Sequence, residues 1–354
     1  ILSLEFDLYA WSSVNICLNQ FIVHFTLQLI CYIMNSTPEG HSDHFEYDYE
    51  TILNEFANNH TSEINPAHCR ETACVFSVIL TVIIFLLGII GNGAVIWIAG
   101  FKMKKTVNTT WYLSLALSDF IFCSTLPLTI VKLLINNWPF GLFMCKFTSF
   151  VMFINMYSSI FILVIVSVDR CLTVRFPVWA QNNRSIAKAS AVVVLAWLMS
   201  ALFSIPPAKF RHIEHFTETL TVCHNNYEGH HQTAVFIRFT FGFLIPFLSI
   251  CLSYSILICK LNQRCRSNKP YKIMTLLIVT FFLCWMPFHI VAIMELGVLK
   301  HNPVFHSAQH VTTTIACANS CLNPFLYAFM AKDLKKCYSF LSKIESAIDE
   351  NMEI

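Results

Sequence analysis

The sequence predicts an all-α fold, a bundle of seven transmembrane helices, and three observations carry that prediction. Hydrophobic residues make up 56% of the 354 positions and charged residues only 12%, more apolar side chain than a soluble domain buries. Seven apolar runs follow one another, each of about 20 residues, the length that crosses roughly 30 Å of hydrocarbon. The last run carries Asn323-Pro324-Phe325-Leu326-Tyr327. A proline there removes a backbone donor and clashes with the carbonyl four residues before it, so the helix is loosened at that depth and can take two packings.

The chain opens on Ile1, and the short apolar run Phe21–Ile33 has no Lys or Arg before it. A signal peptide wants a basic n-region. Residues 1–33 therefore read as a gene-model extension ahead of Met34, with an atypical signal as the alternative. Residues 34–72 form an acidic N-terminal segment, with seven Asp or Glu and no Lys or Arg between Met34 and His68; such a segment is expected to be disordered and exposed. Asn35 and Asn59 head glycosylation sequons within it.

The seven runs are Cys74–Phe101, Trp111–Val131, Phe147–Val168, Ala189–Ala208, Phe239–Cys259, Ile273–Met294 and Val311–Ala331. Short connections make them one domain, residues 73–331. Sixteen of the 23 Lys and Arg fall between runs one and two, three and four, five and six, or after run seven. The positive-inside rule places those segments in the cytoplasm and the N-terminus outside. Sequons at Asn108 and Asn183 then lie inside and stay unmodified. Residues 332–354 form a short amphipathic helix and tail, with Leu334, Tyr338 and Leu341 on one face and lysines opposite, as on an interfacial helix against membrane lipids. Cys337 there is either a palmitoylation site or a plain surface thiol. Ser339, Ser342 and Ser346 are the hydroxyls left for phosphorylation in that tail, which predicts either weak arrestin engagement or a C-terminus that is incomplete.

Most of the 15 Cys are small apolar fillers of helix surfaces. Cys145, at the outer start of run three, and Cys223, between runs four and five, share an oxidising compartment, where a bridge would tie loop to helix. Cys69 has no evident partner and reads as a free thiol.

Asp119 is the acid deep in run two, and burying it costs at least ~2.5–3.5 kcal/mol. Asn92, Asn155, Ser159, Asn319, Ser320 and Asn323 are the neutral oxygen-bearing groups on other spans. An acid ringed by such oxygens suits a small hard cation; the alternative is a protonated or simply hydrogen-bonded carboxyl. At the cytoplasmic end of run three, Asp169-Arg170-Cys171 reads as an ion pair that holds the helix ends together and is released when they move. Run six holds Cys284-Trp285-Met286-Pro287, a large ring beside a second proline kink, and run five holds Pro246 with Tyr254 eight residues on. Ring and kink together read as a toggle, against a background in which buried rings mostly pack. His212, His215, His230 and His231, with His301 and His306, lack the spacing of a zinc site and read as solvated loop histidines.

With these residues assembled, the chain resembles the rhodopsin-like G-protein-coupled receptors from about Cys74 to Lys343. The resemblance rests on Gly91-Asn92, Leu115-Ala116-Leu117-Ser118-Asp119, Asp169-Arg170-Cys171, Trp197, Pro246, Cys284-Trp285-Met286-Pro287 and Asn323-Pro324-Phe325-Leu326-Tyr327. Residues 101–108, 176–182 and 280–285 are similar to the chemoattractant group, chemerin-type receptors above all, with formyl-peptide and anaphylatoxin receptors near them.

The resemblance implies a sodium ion as allosteric ligand at Asp119, Asn155, Ser159, Asn319 and Asn323, and no other cofactor. It implies that Arg170 meets a heterotrimeric G protein of the inhibitory class, and that Tyr254 and Tyr327 rearrange with the kinks at Pro287 and Pro324. It implies peptide recognition by Arg238 and Arg211, where a guanidinium fork suits a carboxylate; the alternative is that both meet lipid head groups. Glu295 offers the opposite charge, His289 and Trp285 face the same pocket, and Tyr47 and Tyr49 are candidates for sulfation. The expectation is a plasma-membrane receptor for an extracellular chemoattractant peptide or small protein of the chemerin kind. The alternatives are a non-signalling scavenger of the same ligands and a receptor for a lipid mediator. An internal repeat for a transporter, a lysine in run seven for an opsin and a catalytic constellation for an enzyme are all missing from the sequence, and nothing in it points to nucleic acid.

Overall fold

A computed structural model describes residues 72–215, 220–227, 229–262, 269–296 and 303–328, all within the compact unit Pro66–Ile354. Span one is helix α1, Thr72–Trp97, closing in a π turn at Ile98–Lys102. Span two begins as α2, Val107–Cys123, behind a capping box: Thr106 Oγ1 accepts from the Thr109 N–H at 3.2 Å, and Thr109 Oγ1 accepts from the Thr106 N–H at 2.7 Å. Two of the helix's orphan donors are thereby satisfied. Span two breaks at Ser124 and Thr125 and resumes as α3, Leu126–Ile135, because Pro127 cannot continue the ladder of hydrogen bonds.

Span three, α4, runs from Gly141 to Arg175 and is the longest helix described. A short helix α5, Pro177–Asn183, leads to span four, α6, Ile186–Lys209. Strands β1, Arg211–His215, and β2, Thr221–Asn225, then pair antiparallel with Ile213 opposite Cys223. Span five is α7, His231–Phe239, a π turn at Thr240–Leu244, and α8, Ile245–Asn262. Pro246 lies two residues past that turn and offers no N–H to the ladder, and the widened turn, closed by the Ile245 N–H on the Thr240 carbonyl, accommodates that gap. Span six, α9, Lys269–Met294, contains Pro287, and span seven, α10, Pro303–Ala328, contains Pro324.

Among the described residues six spans are long and apolar enough to cross a membrane; α10 is the seventh and carries Thr312, Thr313, Thr314, Asn319, Ser320 and Asn323. The helices outrun the apolar stretches read from sequence. An apolar run measures bilayer thickness, whereas a helix goes on through polar residues such as Val107–Thr110 and Asp169–Arg175 until a cap or proline ends it.

The packing is inside-out relative to a soluble protein. Ile90, Phe143 and Leu252 are exposed, while Asn92, Asp119, Asn155, Asn319 and Asn323 are buried. The apolar core gathers on α4, where Met156, Tyr157 and Ile160 meet Leu115, Leu277, Phe281 and Trp285. Trp197 Nε1 donates to Ser114 Oγ at 3.0 Å and ties span four to span two. A glycine is required where α1 meets α10: a Cβ on Gly91 would lie 2.9 Å from both Cβ and Cγ of Pro324.

The expected bridge Cys145–Cys223 is present, with Cα atoms 5.9 Å apart, and it pins β2 to the start of α4. The hairpin itself is absent from the reading of the sequence. Residues 1–33, Asn35, Tyr47, Tyr49, Asn59, Cys69, the helix after span seven and Cys337 lie outside the described residues.

Candidate functional site

Three polar constellations line the axis of the bundle. The central one is built on Asp119, which is fully buried. Asn155 Nδ2 donates to its Oδ1 and Asn323 Nδ2 to its Oδ2, each at 2.8 Å. Ser320 Oγ donates to Asn155 Oδ1 at 3.1 Å, and Asn92 Nδ2 donates to the Ser320 carbonyl at 2.8 Å. Spans three and seven thus meet on the span-two carboxyl group, span one joins them through the Ser320 carbonyl, and the Asn preceding Pro324 is one of the two amide partners of Asp119. Among the described residues Ser159 Oγ and Asn319 Oδ1 are buried without a hydrogen-bond partner. Two orphaned oxygens on the helices that hold Asp119 are donors of the kind a hard cation takes, so the five residues expected to hold sodium fit that ion.

The second constellation lies at the end of α4 and corrects an expectation. Asp169 does not pair with its neighbour Arg170. Its carboxylate is taken by Arg184, just after α5, through Nε to Oδ1 at 2.8 Å and Nη2 to Oδ2 at 2.9 Å. Adjacent residues on a helix diverge by about 100°, so the side chains of 169 and 170 leave the helix in different directions, whereas α5 folds back and delivers a planar fork to the acid. Arg170 instead donates to Asn108 Oδ1, and Arg184 donates to the same oxygen at 2.6 Å. Tyr112 and Tyr254 lie within electrostatic reach of Arg170. Thr275 Oγ1 lies 3.4 Å from the Tyr254 hydroxyl, linking spans five and six. The Tyr327 side chain lies outside what the structure describes.

The third constellation is at the opposite, disulfide-bonded end. Arg238 is 7% exposed, with its guanidinium 5.0 Å from the Phe288 ring centroid and 5.5 Å from that of Phe153. Among the described residues it makes no ion pair and no hydrogen bond, and its Nε is buried without a partner. Arg211 lies within electrostatic reach of both Arg238 and Lys132, and burial lowers its pKa. Below them His289 is packed against Phe239, Phe243 and Phe288, and Trp285 meets Phe281 and Phe288. Glu295 stands 3.8 Å from His231, across the tops of spans six and five. Two rings stacked on an unpaired buried guanidinium offset part of its desolvation, and a ligand carboxylate would supply the rest.

The family model for "7 transmembrane receptor (rhodopsin family)" matches residues 91–327. This chain belongs to that family. Members of it are receptors and not enzymes, and the receptor is a multi-pass membrane protein. Chemerin-like receptor 1 of Sus scrofa is 38% identical over 345 residues, covering 90% of this chain and 91% of its own. The C3a anaphylatoxin chemotactic receptor of Danio rerio is 39% identical over 304 residues, 85% of this chain and 83% of its own. Formyl peptide receptor-related sequence 1 of Mus musculus is 34% identical over 302 residues, 78% of this chain and 86% of its own. This rhodopsin-family receptor is therefore of the chemoattractant type.

Three of its site residues escaped the sequence reading. Lys132 interrupts an apolar stretch, and that cost in lipid was a usable signal. Arg184 and Asn108 gave none, since their roles arise only when α5 and the start of α2 converge on Asp169 and Arg170.

Proposed function

We propose that this receptor sits in the plasma membrane with its N-terminus outside and answers an extracellular chemoattractant peptide, of the kind the name chemerin-like receptor indicates, by activating an inhibitory heterotrimeric G protein. The carrying observation is Arg238, a buried guanidinium between two rings with no carboxylate partner among the described residues. With Arg211 and Lys132 beside it, that end of the bundle favours an anionic group, such as a peptide C-terminus, and Glu295 with His231 forms an opposite rim.

Binding there acts through differential affinity for two packings of the bundle. A ligand carboxylate on Arg238 draws on α7, and Phe288 carries the contact to Trp285 and the bend at Pro287. Movement of α10 at Pro324 takes Asn323 from Asp119, and with it the polar nest that would hold sodium. The cation, when bound, adds positive charge beside Asp119 and favours the resting packing. At the far end Arg170 exchanges Asn108 for the G protein.

The test is inhibition of cyclic AMP in cells expressing the chain from Met34, on addition of the C-terminal peptide of chemerin, with and without a toxin that blocks inhibitory G proteins. A saturable, toxin-sensitive response is expected. Binding without response would make the protein a scavenger; neither binding nor response at confirmed surface expression would return the ligand to formyl peptides, anaphylatoxins and lipid mediators. Arrestin recruitment is expected to be weak.

A further inference from the structure

The periodicity of α4 and α6 places a second set of cations away from the bundle axis. Phe143, Phe147 and Phe150 recur at the spacing that shares one helical face, and Lys146 joins them one turn from Phe143. On α6 Ile205, Ala208 and Lys209 do the same. These two faces meet in a groove of about 300 Å³ at the disulfide end of the bundle, open to the lipid side. Its floor is rigid: Phe143 and Phe147 stack at 6.0 Å with their planes 11° apart, and Ser149 Oγ donates to the Pro207 carbonyl at 3.4 Å, fixing α4 against α6 directly behind it.

Its wall is almost wholly hydrocarbon, the stems of Lys146 and Lys209 included. Lys146 lies in the second turn of α4 and Lys209 is the last residue of α6, so both stand at the level where the membrane meets water. Among the described residues neither makes a hydrogen bond or an ion pair. A lysine that only snorkels leaves its stem on apolar surface and its head in water. Two of them at the mouth of one apolar groove add something more, a divided positive charge above a hydrocarbon slot.

We infer that the groove between α4 and α6 is a binding site for a long-chain carboxylate from the outer leaflet, its chain lying on Phe143, Phe147, Phe150 and Ile205 and its carboxylate between Lys146 and Lys209. Charge complementarity selects this occupant. A zwitterionic head brings its own cation to compete with the lysines, whereas a single chain ending in an anion matches one apolar slot bordered by two lysine side chains. The leaflet follows from the orientation proposed above; the site itself does not depend on the peptide pocket.

The experiment uses the full chain in phosphatidylcholine nanodiscs with a palmitate carrying a photoreactive diazirine on its chain, read by mapping the labelled peptides. Labelling is expected within 141–150 and 203–209, competed by palmitate and not by its methyl ester. In K146Q/K209Q it should fall about tenfold, the equivalent of losing one charge-assisted contact. A208W, which fills the slot and keeps both lysines, should lose labelling as well, and matching thermal unfolding of all three proteins shows that the fold is intact. Labelling that survives either variant, or that the ester competes as well as the acid, marks annular lipid only and overturns the site.

Discussion

Arg184 grips Asp169 through two nearly parallel hydrogen bonds of 2.8 and 2.9 Å, and so leaves Arg170 to a single neutral acceptor on α2. The charge that holds the end of span three thus comes from beyond α5. Arg170 is restrained by an amide oxygen it shares, a weaker hold than a carboxylate would give.

Replacing Arg184 by Ala should therefore raise basal signalling. The pair is partly buried, with side chains 26% and 15% exposed, and hydrogen bonds to charged groups contribute about 1.5–3 kcal/mol, enough to move a two-state equilibrium by roughly tenfold or more. Basal cyclic AMP at matched surface expression is the readout. R184K, with one contact in place of a fork, should fall between; unchanged basal activity in both variants would remove Arg184 from the switch.

Arg238→Ala should raise the peptide concentration needed for half-maximal response by about 30-fold or more, the scale of losing one partner of a buried charge pair, with surface expression preserved. Arg238→Lys keeps the charge and loses the planar contact with Phe153 and Phe288, so it should recover only part. An equal loss of expression and response would make Arg238 structural.

Sodium should weaken agonist binding to the wild-type receptor, and Asp119→Asn should abolish that dependence. Agonist competition in sodium and in N-methyl-D-glucamine separates the cases. An unaltered sodium effect in D119N would show that the ion acts elsewhere.

Gly91→Ala should destabilise the receptor by about 1–3 kcal/mol, the usual cost of forcing a methyl group into a packed interface, because its Cβ would press on Pro324 at 2.9 Å. Gly100→Ala is the control, since a Cβ there meets nothing within 4 Å. Thermal unfolding in detergent should separate the two clearly.

The parts legible in the sequence were those with a strong one-dimensional signature. Seven apolar runs gave seven helices, Cys145 and Cys223 stood out by position, and Asp119 was conspicuous as an acid in lipid. Asn155 and Asn323 as its partners followed from the small supply of polar groups at that depth. The hairpin of β1 and β2 was hidden because Arg211–His215 and Thr221–Asn225 are short and half-polar, and their pairing is anchored by the disulfide. The partner of Asp169 was hidden because sequence adjacency suggested Arg170, whereas the chain beyond α5 brings Arg184 to the carboxylate. The π turn at Thr240–Leu244 left no mark on composition at all.

That π turn has a consequence for how the two ends of span five are geared. One surplus residue advances the helix by about 100° of rotation, so the face bearing Arg238 and the face bearing Tyr254 are set out of phase by a single residue. Tightening the turn to α geometry would wind Arg238 around the axis by that angle, out of its seat between Phe153 and Phe288, without tilting α8. A ligand that clamps Arg238 therefore fixes the torsional setting of the whole span, and deleting one residue from Thr240–Leu244, which removes the surplus, should leave a continuous α-helix with Arg238 and Tyr254 in their present phase.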